Sequence, residues 1–377
     1  MQQIVAHMKE AGVVIFRGPL EILGAETWVY FCDPDNNILE YIQWYRKKLS
    51  GEGEEMANKI IDLAEAAALV PDGATVSFGG FTTQRHPMAF IYQLIRLRRR
   101  DLYLFGHSPG GDWDILIGAG CVRRVELAYE ADEAFNTIGP RWRLAVERGQ
   151  IEWEDYSNFA MVSRFTAGAM GIPFMPIRSL LGSDLLARQT LSDEQRTMDA
   201  RTSLKKLHVM ESPFGSNDQV VLVPAIHTEF AVLHVQKATA IGTIRIEGQT
   251  FADVQQALCA DTVIVTAEEI VEEESLRCEP ERNPLPYFVV GHVCHVPFGA
   301  HPYAVFNYYD YDPYQLKLYH DAAKDDACFQ QYLDRFVFQV KSHAEYLESV
   351  GGAARMDRLR ADPAYGYRPD LRRRRLA

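Results

Sequence analysis

The chain has 377 residues, of which 47% are hydrophobic, 24% charged and 11% aromatic, the profile of a soluble globular protein with room for a sizeable core. Its formal net charge of −12 argues against nucleic acid as a partner, because a phosphate backbone is bound through clustered Lys and Arg. No apolar run approaches the ~20 residues needed to span a bilayer and no basic-then-apolar signal pattern opens the chain, so a cytoplasmic protein without a membrane partner is expected. Cys32, Cys121, Cys259, Cys278, Cys294 and Cys328 are scattered without C-x-x-C spacing, which points to reduced thiols rather than a disulfide framework.

In chain order, residues 1–47 read as a short helix ending near "AGV" and three strand-like runs, "VVIF", "ETWVYF" and "ILEYIQWY". Turn signals separate them, a Gly-Pro in "RGPLEILG" and the dense "DPDNN". Residues 48–55, rich in charge and glycine, read as a linker. From Met56 the pattern changes. "NKIIDLAEAAALV" is an amphipathic helix stopped by Pro71-Asp72-Gly73. "TVSFGGF" is a strand running into a glycine loop, and "PMAFIYQLIRLRRR" is a helix with Pro in its first turn. "DLYLFG" is a second strand, followed by "HSPGGDWDILIGAG".

Further strands are "RRVELAY", "QVVLVPA", "FAVLHV", "DTVIVTAEEI" and "YFVVGHVCHVPFG". Short Val/Ile/Leu-rich runs with helices between them predict an α/β fold, an open, mostly parallel sheet flanked by helices. Ligands in such sheets gather at loops leaving the carboxyl ends of strands, the position of the 79–85 and 106–114 loops. The tail 368–377 ends in the basic block Arg372–Arg375, read as a solvated terminus.

Three constellations carry possible chemistry. "SFGGFTTQRHP" lacks the GK[ST] of a nucleotide P-loop and the GxGxxG of a dinucleotide site. Gly79-Gly80 permit close backbone approach and exposed N–H groups, and Thr82, Thr83 and Arg85 add donors. "HSPGGDWD" brings Gly110-Gly111 with Asp112 and Asp114, which read as an acidic first helical turn rather than a divalent-ion site. "GHVCHVPFGAHP" holds His292, Cys294, His295 and His301. On a strand His292 and Cys294 face one side and His295 the other, so no metal is expected; His301, in the following turn, is the one placed for a cleft.

Together these loops resemble the A (alpha) subunit of family I CoA-transferases, the glutaconate CoA-transferase type in particular, over residues 56–367. Asp72-Gly73, Gly79-Gly80-Phe81 and Pro87 fall on the family signature; Ser77 and Arg85 depart from it, and the Arg is of the glutaconate branch. "GGDWDILIG", "EDYS", "GIPFMPIRSLLGSDL", "TAEEI" and "FGAHPYAVFNYYDYD" follow in that branch's order.

The resemblance implies covalent catalysis by a glutamate on a partner B subunit, which passes through an acyl anhydride and a glutamyl-CoA thioester, with no metal and no cofactor beyond coenzyme A as substrate. It implies a heterotetramer or heterooctamer with no catalytic residue on this chain. It assigns Gly79, Gly80, Phe81, Thr82, Arg85, Gly110, Gly111 and His301 to the substrate-facing wall, with Arg85 placed to clamp a dicarboxylate's far carboxylate unless an inter-subunit salt bridge engages it. The sole Glu-Gly of the main domain, Glu247-Gly248, is expected to be surface or packing. A hydrolytic, ring-opening branch of the family uses an acidic residue near the position of Asn158, and an amide there favours transfer. The alternatives are such a hydrolase or a non-catalytic scaffold.

Residues 1–47 resemble the closing part of a glyoxalase/bleomycin-resistance module through Gly18-Pro19, Tyr30-Phe31, Asp33-Pro34-Asp35 and Glu40. Less than one module is present, so Glu40, whose counterpart is commonly a metal ligand, is expected to bind none. A fusion remnant or a mis-chosen start is the expectation.

Overall fold

A computed structural model describes residues 2–11, 13–22, 26–32, 38–44, 58–215 and 218–371. The expected linker 48–55, the Asp33–Asp35 turn and Arg372–Arg375 lie outside them. The chain divides into two units, residues 1–57 and 58–377.

The first unit is a helix, α1 (Gln2–Glu10), followed by an antiparallel sheet β1-β2-β3, with β1 at Val14–Ile22, β2 at Glu26–Cys32 and β3 at Ile38–Trp44. The β2–β3 ladder runs without interruption from Glu26 opposite Trp44 to Cys32 opposite Ile38. The β1–β2 ladder slips between Arg17 and Leu20, where Pro19 has no N–H to give a partner strand.

In the second unit, helix and strand alternate first as α2 (Leu63–Ala68), β4 (Thr75–Phe78), α3 (Met88–Arg96), β5 (Leu102–Phe105), α4 (Gly111–Gly118), β6 (Val122–Leu127), α5 (Pro140–Glu147), β7 (Glu152–Asp155) and α6 (Asn158–Ala169). An excursion follows through β8 (Phe174–Ile177), the short helices α7 (Asp184–Ala187) and α8 (Asp193–Thr197), β9 (His208–Glu211) and β10 (Gln219–Pro224). The chain returns as β11 (Thr228–Ala238), β12 (Ile244–Arg245), α9 (Asp253–Leu258), β13 (Ala260–Ile270), α10 (Glu273–Arg277) and β14 (Val290–His295). Helices α11 (Pro313–Ala322), α12 (Asp326–Leu333), α13 (His343–Ser349) and α14 (Gly352–Leu359) close it.

Seven strands form the parallel sheet in the order β14-β13-β11-β4-β5-β6-β7, and β12 pairs antiparallel with β11. The strand order grows outward from β4 to β7, then restarts at β11 on the other side of β4. The switch point therefore lies between β4 and β11, where the divergence of the following loops opens a crevice.

Both sheet faces are covered, which explains strands without polar alternation. Leu102 and Leu104 of β5 enter one core with α3, α4 and the C-terminal helices, while Tyr103 and Phe105 enter another with Phe165 of α6 and Val221 of β10. Among the described residues no helix is long and apolar enough to cross a membrane.

Three elements differ from the sequence reading. The predicted helix from Asn58 begins only at Leu63, because Ile60 pairs with Val293 at the sheet edge and Asp62 caps the helix through Ala64 N. Helix α3 stops at Arg96 rather than running through the arginines, since Arg98 adopts a left-handed φ of 56°. "QVVLVPA" is not in the parallel sheet: β10 is the centre of a separate antiparallel sheet, β8-β10-β9.

Candidate functional site

The first loop leaves β4 at the switch point. Gly79 is tight against the β11 side, where a Cβ would lie 2.7 Å from Leu233 Cδ2. Gly80 has φ of 98° and leaves room for no side chain, since a Cβ would lie 2.5 Å from the Gln84 carbonyl oxygen. Their N–H groups are not free donors. Gly79 N–H donates to Val232 O at 2.9 Å, Gly80 N–H to Asp253 Oδ1 at 3.0 Å and Phe81 N–H to Gln84 O at 2.9 Å. Thr82 N–H donates to Ser108 O of the second loop at 3.2 Å. The expectation that the glycine pair offers amides to a ligand oxygen is therefore corrected: the neighbouring strand takes the Gly79 N–H and the Asp253 side chain of α9 takes the Gly80 N–H.

Arg85 is corrected as well. Its side chain is 2% exposed, and one terminal nitrogen donates to Asp253 Oδ2 at 2.5 Å while the other donates to Gln249 O at 2.8 Å. The salt bridge is made inside this chain, so the guanidinium is not available to clamp a substrate's carboxylate. It is a brace that joins the glycine loop to the start of α9. Phe251 completes the brace, stacking on Phe81 with centroids 4.9 Å apart and lying 5.4 Å from the Arg85 guanidinium carbon.

Gly110 and Gly111 are buried, not cleft surface. A Cβ on Gly110 would strike Asp132 Oδ1 and come within 2.8 Å of Thr82 O, so this glycine lets the second loop pass beneath the first. Asp112 and Asp114 are buried beyond what a helical first turn requires: Asp112 Oδ2 is 3.0 Å from His86 Nδ1, and Asp114 accepts from Tyr319 Oη at 2.6 Å and Trp142 N at 2.7 Å. Burial works to lower the His86 pKa, but the Asp112 carboxylate outweighs it and the net shift is upward. Burial lowers His107, beside Phe81, to about 4, so its imidazole is neutral. Glu130 is the converse, pushed well up by burial and by Asp114 and Asp132.

His301 is fully buried, with Nδ1 2.8 Å from Tyr346 Oη and Nε2 3.3 Å from Asp312 Oδ2, which Arg355 also binds. It anchors the C-terminal helices and does not face the cleft, a further correction. His292, Cys294 and His295 do lie on one strand, and among the described residues no group of three or more His, Cys, Asp or Glu side chains is placed to hold a metal.

What does reach the surface is the run Phe81–Gln84. Beside it a cleft of about 400 Å³ opens at the switch point. Gln84 and the edge of Arg85 form one wall, Glu247, Gly248, Gln249 and Phe251 the other, and Phe306 closes the end. Sequence reasoning reached the first wall and not the second: Phe251 and Asp253 carried no motif, Phe306 lay in the "FGAHPYAVFNYYDYD" segment without being singled out, and Glu247-Gly248 was read as surface or packing. Glu247 accepts from Asn307 Nδ2 at 2.5 Å and has Lys237 at 3.8 Å. Across the first loop, Ser108 Oγ donates to Asn158 Oδ1 at 2.8 Å, which ties α6 to the same strand ends. A larger cavity of about 790 Å³ between α2 and α13 lies away from these loops and contains none of the predicted residues.

A parallel sheet with a two-glycine loop at its switch point, braced by a buried ion pair beside an aromatic cleft, is the layout of an α/β fold with a candidate site outside its strand ends. The sequence pattern of the coenzyme A transferase family matches residues 60–295, and the chain belongs to that family.

The A subunit of glutaconate CoA-transferase from Acidaminococcus fermentans is 36% identical over 315 residues, covering 83% of this chain and 98% of that one. The crystal structure of that organism's glutaconate coenzyme A-transferase matches with a TM-score of 0.80 over the same shares. The A subunit of 3-oxoadipate CoA-transferase from Pseudomonas knackmussii is 30% identical, covering 78% of this chain and 98% of that one. An uncharacterized Archaeoglobus fulgidus protein is 34% identical and covers 93% of this chain and 74% of its own length. That share exceeds what residues 58–377 supply, so the match takes in part of the N-terminal unit.

Proposed function

We propose that this chain is the A subunit of a heteromeric CoA-transferase and forms one wall of a site whose nucleophile a B subunit supplies. The observation that carries the reading is the cleft itself. It sits at the switch point of a sheet shared with CoA-transferase A subunits, and the one carboxylate lining it among the described residues, Glu247, is engaged by Asn307 and Lys237.

In this reading the partner's glutamate attacks the acyl-CoA carbonyl, forming an acyl–glutamyl anhydride and expelling the CoA thiolate. The thiolate then attacks the glutamyl carbonyl, which releases the first carboxylate and leaves a glutamyl thioester. The acceptor carboxylate reverses the sequence and leaves as its CoA thioester. This chain contributes shape, the exclusion of water by Phe81, Phe251 and Phe306, and a rigid loop edge. No metal or cofactor other than coenzyme A takes part. The assembly is a cytoplasmic heterotetramer or heterooctamer.

Mixing the chain with its B subunit and following CoA exchange between an acyl-CoA and a free acid tests the reading. Acceptor-dependent exchange that needs both chains is expected. Hydrolysis independent of the acceptor would point to the ring-opening branch, and inactivity with the cognate B subunit to a scaffold.

A further inference from the structure

We propose that His107 and Asn158 form a carboxylate subsite of uncharged donors on this chain, which takes the unreacting end of a dicarboxylic acyl chain. The inference rests on the CoA-transferase reading and adds to it a place for the far end of the substrate. His107 follows the carboxyl end of β5, the strand beside β4, and its ring centroid lies 5.5 Å from that of Phe81 in the first loop. The residue is only 6% exposed, yet neither ring nitrogen has a hydrogen-bond partner among the described residues. Nor are those nitrogens sealed from solvent, as the unpartnered Nδ1 atoms of His320 and His343 are, so the polar edge of the ring opens outside the strand ends. Folded chains pair almost every polar group this buried, and a ring left with both nitrogens unused is placed for a ligand. With its pKa lowered to about 4 by burial, the imidazole offers one N–H and carries no charge.

Ser108, the next residue, donates to Asn158 Oδ1 at 2.8 Å, which occupies the acceptor of that amide and leaves Nδ2 without a partner among the described residues. Asn158 opens α6, a helix of 12 residues whose N-cap Ser157 side chain accepts from Ala160 N. The N–H groups of Asn158 and Phe159 have no acceptor within that helix. The imidazole and the side-chain amide thus stand near the positive end of a helix dipole, a setting that holds an anion without a cation. Arg85 is spent on Asp253, and the reacting carboxyl must meet the partner's glutamate, so these donors serve the other end of the acid.

The test follows transfer from acetyl-CoA to glutarate or valerate, five-carbon acids that differ by the second carboxylate, on the complex of this chain with its B subunit. The readout is the glutarate-to-valerate ratio of kcat/KM, so the amount of folded enzyme cancels. His107→Phe keeps a ring against Phe81 and removes the N–H; it is expected to lower the ratio by about tenfold to hundredfold, the size of one hydrogen bond to a charged group. His107→Gln keeps a neutral N–H at similar reach and is expected to regain most of that loss. Asn158→Leu is expected to lower the ratio by about threefold, since water competes for that exposed amide. A ratio that His107→Phe leaves unchanged, or a His107→Phe chain that no longer assembles with the B subunit in size-exclusion chromatography, overturns the inference and leaves the transferase reading in place. Calorimetric binding of glutaryl-CoA and valeryl-CoA to the same variants separates the two claims. Absence of transfer by the wild-type complex to any acid overturns the transferase reading, while a glutaryl-CoA preference that His107→Phe abolishes still upholds the subsite.

Discussion

Replacing Asp253 by Asn tests whether Arg85 is a brace or a substrate clamp. Asn keeps the shape of the side chain and an oxygen for the Gly80 N–H, which lies 3.0 Å from Oδ1. What it removes is the countercharge of a guanidinium that is 2% exposed. Breaking a buried ion pair by removing one partner costs about 3–5 kcal/mol, because the other charge remains buried without compensation. At roughly 2–4 °C per kcal/mol for a domain of this order of size, the melting temperature should fall by roughly 6–20 °C. Removing both charges in Arg85→Met/Asp253→Asn should recover a large part of that loss, since an apolar side chain in the same space carries no stranded charge. The assay is thermal unfolding of the two single variants, the double variant and wild type, read as a double-mutant cycle. The reasoning is refuted if Asp253→Asn melts within about a degree of wild type while Arg85→Met loses acyl-CoA binding alone. That pair of results would put the guanidinium on the ligand.

Three other outcomes follow from the same structure. Gly80→Ala places a Cβ against the Gln84 carbonyl at a φ of 98°, so it should cost about 1–3 kcal/mol and lower kcat/KM for transfer, with melting and initial rates as the readouts. Glu130 has a folded pKa raised above its unfolded value, so its contribution is full below the ordinary Glu range and is lost as pH rises. Glu130→Gln fixes the neutral form and can still accept from Gly139 N, so it should melt at or above wild type at pH 7 and show less decline between pH 5 and 8. Residues 58–377 expressed without the N-terminal unit should fold and support transfer with the B subunit, because the family match and the cleft lie within them; loss of either would give that unit a role in the enzyme.

The legible part of the fold was the part written in local pattern. The runs "TVSF", "LYLF" and "VIVTA" are buried throughout, so their hydrophobic continuity announced a parallel sheet. "QVVLVP" has the same local appearance yet lies in an antiparallel sheet, since which sheet receives a strand depends on α6 and the β8 partner rather than on its own residues. The glycine loop was legible because only glycine tolerates the approach to Leu233 and Gln84 O. Its chemistry was not, because the partners that decide it are remote in sequence. Asp253 is 168 residues from Arg85, and Phe306 reaches the cleft from beyond β14. An arginine that looks free in a loop is a clamp or a brace according to one aspartate that no spacing rule connects to it. His301 failed for the same reason: its turn looked like a cleft turn, and Asp312 with Tyr346 encloses it.

The central claim is that this chain builds the wall and another chain carries the covalent step. Incubating the A–B complex with acyl-CoA, trapping the thioester and locating the adduct by mass spectrometry tests it directly. The account predicts a CoA adduct on a glutamate of the B subunit and none on this chain. An adduct on Glu247 or any other carboxylate of this chain would contradict it.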